Sequence, residues 1–153
     1  VNYRGFQVIW TSPASRVYIE FDSTGGTPIG SISNNTTSTS YNTLSDYRFK
    51  YNVKKTSKAF DRLKKIPIVD FNFVGDDPDD IRQGFLAHEL QDVVPYAVTG
   101  KKDDIGDDGK VKPQFVDYSK LVPLIIRSVQ ELSKRIEVLE GLLEQTTTTP
   151  PTI

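Results

Sequence analysis

Apolar and polar positions alternate in short stretches near the start of the chain, at Phe6, Val8 and Trp10 and again at Val17, Ile19 and Phe21. A period of two predicts strands. Between Ser31 and Ser40 the run SISNNTTSTS carries almost no apolar anchor. Such polar, strand-prone sequence cannot bury a core alone. It is expected either to form part of an intertwined β-rich stem whose core several chains share, or to be a flexible linker. Residues 1–44 are read as the C-terminal end of such a stem.

At Ser45 the chain becomes charged and mixed. A helix is expected from about Ser57 to Lys65, N-capped by Thr56 or Ser57 and closed by Pro67. The alternating stretch VDFNFVG, residues 69–75, and RQGFLA, residues 82–87, read as two strands joined through the acidic turn GDDPDD. A short helix over residues 88–94, a loop KKDDIGDDGK and a strand at Val111–Val116 complete a small mixed domain, residues 45–117.

The last long element, capped by Asp117 or Ser119, is expected to run to about Gln145. Val122, Ile125, Val129, Leu132, Ile136, Leu139 and Leu143 recur at spacings of three and four, the seam of a coiled coil. With Val122, Val129, Ile136 and Leu143 at a positions, Arg135 falls at g and Glu140 at the following e, where parallel neighbours can pair them. The stretch Arg135-Ile136-Glu137-Val138-Leu139-Glu140 is similar to a pattern of many three-stranded coiled coils. Residues 118–145 therefore read as a trimerisation helix; the alternative is one amphipathic helix docked on its own domain. The tail, residues 146–153 (TTTTPPTI), cannot continue the helix and is expected to be disordered. The fold class is α+β: a short β-rich fibre end, a small mixed domain, and a long C-terminal helix in a parallel trimeric coiled coil.

Composition narrows the partners. The 19 basic residues against 20 acidic ones give a net charge of −1, no electrostatic reason to expect nucleic acid or an anionic membrane. No apolar run approaches the roughly 20 residues of a bilayer span. With no cysteine, neither disulfides nor thiolate metal sites are available, so packing or assembly must hold the fold. The chain starts at Val1 and holds no methionine, which suggests a piece cut from a longer polypeptide.

The candidate chemistry lies in Ser45-Asp46-Tyr47-Arg48-Phe49-Lys50. A serine hydroxyl is a weak nucleophile until a base takes its proton, and lysine serves as that base only when burial or nearby positive charge, here Arg48, lowers its pKa. Five residues along a strand put two side chains on opposite faces, and five along a helix put them about 140° apart. Ser45 and Lys50 can therefore meet only if the backbone bends sharply between them, or if Lys50 of one chain meets Ser45 of another. Weaker candidates exist elsewhere. Asp103, Asp104, Asp107 and Asp108 invite a calcium reading but lack the ligand order of an EF-hand and read as a solvated turn. Lys54, Lys55, Lys58, Arg62, Lys64 and Lys65 read as a solvated helix face, and His88 as a structural residue. No cofactor or metal is expected.

Three blocks in order, YNTLSDYRFKYNV (41–53), GFLAHELQDVVPYAV (84–98) and VDYSKLVPLIIRSVQELSKRIEVLE (116–140), make the chain similar to the S74 peptidase family, the intramolecular chaperone of endosialidase. The upstream FDSTGGTPIGSIS resembles the fibre end that precedes such domains. His88 departs from the glutamine more usual there. The resemblance implies a self-cleaving serine endopeptidase that folds as a homotrimer, helps the fibre stem of its own polypeptide to trimerise, and is then released. It implies Ser45 and Lys50 as a catalytic dyad, Arg48 as a supporting residue and Ser45–Asp46 as the cleaved bond. It also implies assembly in the host cytoplasm, with the mature fibre on the virion. Two rival readings are a trimerisation domain that never cuts, and a receptor-binding fibre tip in which Trp10, Tyr3 and Tyr18 meet a host-surface glycan.

Overall fold

The computed structural model describes the backbone of residues 16–147 and the side chains of residues 19–146. The strand expected at Phe6, Val8 and Trp10, the aromatic platform of Tyr3, Trp10 and Tyr18, and the tail beyond Thr147 lie outside the described residues. The chain divides into two compact units, residues 1–54 and 55–153.

In the first unit, β1 (Arg16–Asp22), β2 (Pro28–Asn34) and β3 (Thr39–Thr43) form an antiparallel sheet in sequence order. The alternation at Ile19 and Phe21 continues across it: Ile19 is paired with Ile32, and Ile32 with Tyr41, which puts these residues on one face. The other face is polar, where Asn42 Nδ2 donates to Ser31 Oγ and Ser33 Oγ, both at 3.0 Å. The polar run expected to be shared stem or linker is a hairpin. Asn35 Oδ1 accepts the backbone N–H groups of Thr37 at 2.9 Å and Ser38 at 2.8 Å, an Asx turn that reverses the chain locally. Ser and Thr between apolar strands thus serve as turn chemistry and ladder.

In the second unit, α1 (Ala59–Leu63) is shorter than expected, and neither Thr56 nor Ser57 caps it. Its N-cap residue is Lys58, in the left-handed region at φ 57° and without a side-chain bond. The orphan N–H of Phe60 is taken instead by Glu131 Oε2 at 3.0 Å, from a helix far along the chain. The two expected strands pair as β4 (Val69–Phe71) and β5 (Arg82–Gly84), each cut to three residues. Gly84 packs closely here: a Cβ would stand 3.0 Å from the Phe71 ring, which would have to shift to admit it. Arg82 ties down the acidic turn, pairing with Asp80 at 2.7 Å and Asp76 at 3.1 Å.

Helix α2 (Ala87–Val93) leads through a 3₁₀ turn at Pro95–Ala97 into β6 (Val98–Thr99), which pairs with β7 (Phe115–Val116). The strand expected over 111–116 reduces to β7, with Val111 in an isolated bridge to Ile105. Asp117 caps as expected, accepting from Ser119 N–H at 3.0 Å, but what it caps is a 3₁₀ turn, Tyr118–Leu121. Helix α3 (Val122–Thr147) follows it for 26 residues.

The core of this unit gathers Ala59, Ile66, Leu90, Val94, Ala97, Val98, Leu121 and Leu124. Helix α3 enters it through Leu124 and Ser128, a stripe that is not the expected seam. Ser128 is fully buried and donates back to the Leu124 carbonyl at 2.8 Å, so its hydroxyl needs no other partner. Val122, Ile125, Val129, Ile136, Leu139 and Leu143 all stay exposed, and Leu132 is half-buried. The helix is therefore two-sided: one stripe docks it on its own unit and the heptad seam faces away.

Candidate functional site

Ser45 hangs from the end of the sheet. The ladder between β2 and β3 continues one step past β3, with Leu44 N–H donating to the Ile29 carbonyl at 2.9 Å, and this fixes the backbone just ahead of the serine. Asp46 follows in an extended conformation, φ −62° and ψ 134°, and caps a 3₁₀ turn at Tyr47–Phe49. Phe49 N–H donates to the Asp46 carbonyl at 3.2 Å and Lys50 N–H to the Tyr47 carbonyl at 3.0 Å.

The turn reverses the chain enough for Lys50 Nζ to lie 2.7 Å from Ser45 Oγ. The sharp bend open in the sequence is present, and it brings the two side chains together within one chain. Asp46 and Arg48 make a second pair beside it: Arg48 Nε lies 3.1 Å from both carboxylate oxygens and Nη2 is 2.6 Å from Oδ2. The Arg48 bonds hold the Asp46 carboxyl below its ordinary pKa, and the same carboxylate raises that of Arg48. Arg48 points its charge at Asp46, so its positive charge is already partnered.

The site is open. Ser45, Arg48 and Lys50 are exposed, and so are Tyr47, Phe49, Tyr51 and Val53 around them. A lysine becomes a base by being desolvated, and among the described residues this one stays exposed.

The other candidates fall elsewhere. His88 lines a cavity with Lys101, Asp104, Lys112 and Gln114 in the second unit. In the acidic loop, Asp108 pairs with Lys110 at 3.0 Å, and the bonds from Lys110 hold its carboxyl below the usual range. Among the described residues no group of three or more His, Cys, Asp or Glu side chains is placed to hold a metal ion, and no helix is long and apolar enough to cross a membrane. Arg135, expected at a g position facing a neighbour, lies over the Phe60 ring at 5.1 Å and 3.9 Å from Asp61 of its own chain. Sequence reasoning missed Glu131; only its place one helical turn after Arg127 and before Arg135, three charges on one face, could have marked it.

A mixed α+β chain with a serine–lysine pair on a turn and a long two-sided helix is the class this geometry defines. Residues 45–99 match the S74 peptidase family, the chaperone of endosialidase. Residues 45–99 are thus an S74 chaperone domain, and the chain is homologous to phage tail fibre proteins. It is 30% identical to a probable tail fiber protein of Escherichia phage Phieco32 over 156 aligned positions, covering 88% of this chain and 21% of that protein. It is 31% identical to the long tail fiber protein Gp37 of Enterobacteria phage K3 over 65% of this chain and 8% of that protein, and equally to Gp37 of phage T2, covering 7% of it. The chain thus spans about a fifth or less of the length of these relatives.

Proposed function

We propose that this chain is the C-terminal intramolecular chaperone of a phage fibre or tailspike protein, which assembles as a homotrimer and releases itself by cutting the Ser45–Asp46 bond. The observation that carries the reading is the 2.7 Å approach of Lys50 Nζ to Ser45 Oγ. That is hydrogen-bond distance, the reach a base needs to take the hydroxyl proton. The exposed seam of α3 supports the assembly half: six of its seven residues stay exposed.

The two halves are linked by water. A solvated lysine keeps its proton, and a desolvated one gives it up more readily. Assembly of three copies is what would cover the open pair, so cutting waits for assembly. Ser45 Oγ cannot attack its own carbonyl, because the ring would have four members. The neighbouring chain's Ser45 attacks, or Ser45 and Lys50 together activate a water aimed at that carbonyl. In either case the C–N bond breaks, the Asp46 nitrogen leaves as an amine after taking a proton, and water finally supplies the hydroxyl of the new Ser45 carboxyl group. The released fibre joins the virion; the chaperone does not.

A second reading is favoured by the openness of the site: a trimerisation domain that never cuts. Intact mass and oligomeric state of the chain and of Ser45→Ala, measured side by side, separate the two. The proposal expects a trimer in both and cleavage only with Ser45; an assembled chain that stays whole indefinitely overturns it in favour of the second.

A further inference from the structure

The only covalent path between Ser45 and Lys50 runs through the turn that Asp46 caps. Fully extended, five residues span about 16 Å, too far for a lysine side chain to fold back across. A 3₁₀ turn advances only about 2 Å per residue and shortens the path. None of the turn's residues is buried, so no core beneath it holds its shape. Its restraints are local: Asp46 Oδ1 accepts Arg48 N–H at 2.9 Å, and the guanidinium closes on both carboxylate oxygens.

We infer that the Asp46 side chain is a positioning residue for the cut, because its carboxylate caps the 3₁₀ turn and clamps Arg48, and so sets the chain reversal that lays Lys50 Nζ on Ser45 Oγ. The inference rests on the reading of Ser45 and Lys50 as the cutting pair. Asp46 then works twice: its backbone nitrogen is the leaving group, and its side chain holds the geometry from which it leaves. Held below the ordinary carboxyl range by Arg48, the side chain is ionised wherever a lysine could serve as base.

The test is the first-order rate of self-cleavage of the full chain and of its variants, followed by intact mass, with the melting temperature of each recorded. Asparagine caps as well as aspartate and keeps one oxygen within reach of the Arg48 guanidinium, so Asp46→Asn is expected to cut within about threefold of the unaltered chain. Asp46→Ala, which loses cap and clamp, is expected to cut at least about tenfold more slowly. The pH–rate profile of Asp46→Ala should fall in height across the whole pH range, since positioning lowers the rate at every pH. If Asp46→Ala melts early, Asp46→Ser takes its place: a hydroxyl can cap but cannot clamp, so its rate should lie between those of aspartate and alanine. Equal rates for alanine and aspartate overturn the inference. So does an asparagine variant as slow as alanine, because the cap would then not be what the rate needs. Cleavage that persists in Ser45→Ala and Lys50→Ala overturns the underlying dyad instead, and the positioning role with it.

Discussion

Glu131, on α3, accepts the backbone N–H of Phe60 at 3.0 Å, so α1 is capped by a residue 71 positions away in sequence. Arg127 supports the carboxylate at 3.3 Å, and Arg135 lies over the Phe60 ring at 5.1 Å. One face of α3 is thereby committed to its own chain.

This cap predicts an acid-sensitive docking of α1. The backbone bond from Phe60, ahead of the other contacts, holds the Glu131 carboxyl below its ordinary pKa. A carboxyl whose pKa is depressed by folding stabilises the fold above its unfolded pKa, about 4.3 for glutamate, and loses that contribution as pH falls through its lower folded value. Thermal melts of the chain and of Glu131→Gln should differ at neutral pH in favour of glutamate. Below about pH 4 the gap should narrow steadily; a constant gap would mean that the charge of Glu131 does not matter.

The two stripes of α3 should respond differently to substitution. Ile136→Asp with Leu139→Asp is expected to give monomers or aggregates while the far-ultraviolet spectrum is kept, because each charge costs several kcal/mol in a shared core. Leu124→Ala, at a position 3% exposed, is expected to cost about 2–5 kcal/mol in the folding of the second unit. Sedimentation and denaturant unfolding separate the two effects. A native trimer in the double aspartate variant would remove the seam assignment, and uncut precursor should accumulate in it.

Lys50→Arg is expected to fold and to stop cutting. Arginine keeps the charge and the reach, but not the ability to give up its proton. Its intact mass should stay that of the precursor for as long as the lysine chain takes to be consumed. Normal cleavage by the arginine variant would leave position 50 with only an electrostatic role.

Terminal sequencing of the released fragment identifies the bond. Cleavage after Ser45 predicts an N-terminus at Asp46. Attack of Ser45 Oγ on the preceding Leu44 carbonyl, through a five-membered ring as in an N-to-O acyl shift, would instead leave an N-terminus at Ser45. The lysine within reach of Ser45 Oγ serves either route, so the fragment decides between them.

Element types were legible wherever a local period or a local turn carried them. The alternation at Ile19 and Phe21, the strands around Val69 and Arg82, the Asp117 cap and the long helix ending near Gln145 all depend on neighbours a few residues away. Ser45 and Lys50 were singled out by the resemblance of the surrounding blocks, because a serine five residues before a lysine says little by itself. The lengths of β4, β5 and β7 were not, since where a strand ends depends on what its partner offers across the hairpin. The cap of α1 was misassigned to Thr56 or Ser57 because local propensity names the nearest hydroxyl, while Glu131 reaches the same N–H from a helix packed against it. The sequence left open whether the backbone bends between Ser45 and Lys50; the 3₁₀ turn supplies that bend. Likewise Val122 to Leu143 declared an apolar stripe by spacing alone, but a heptad cannot say which stripe its own chain will use. Burial of Leu121, Leu124 and Ser128 against Ala59 and Leu90 decided that, because a helix has several faces and only contact in three dimensions selects the one that is covered.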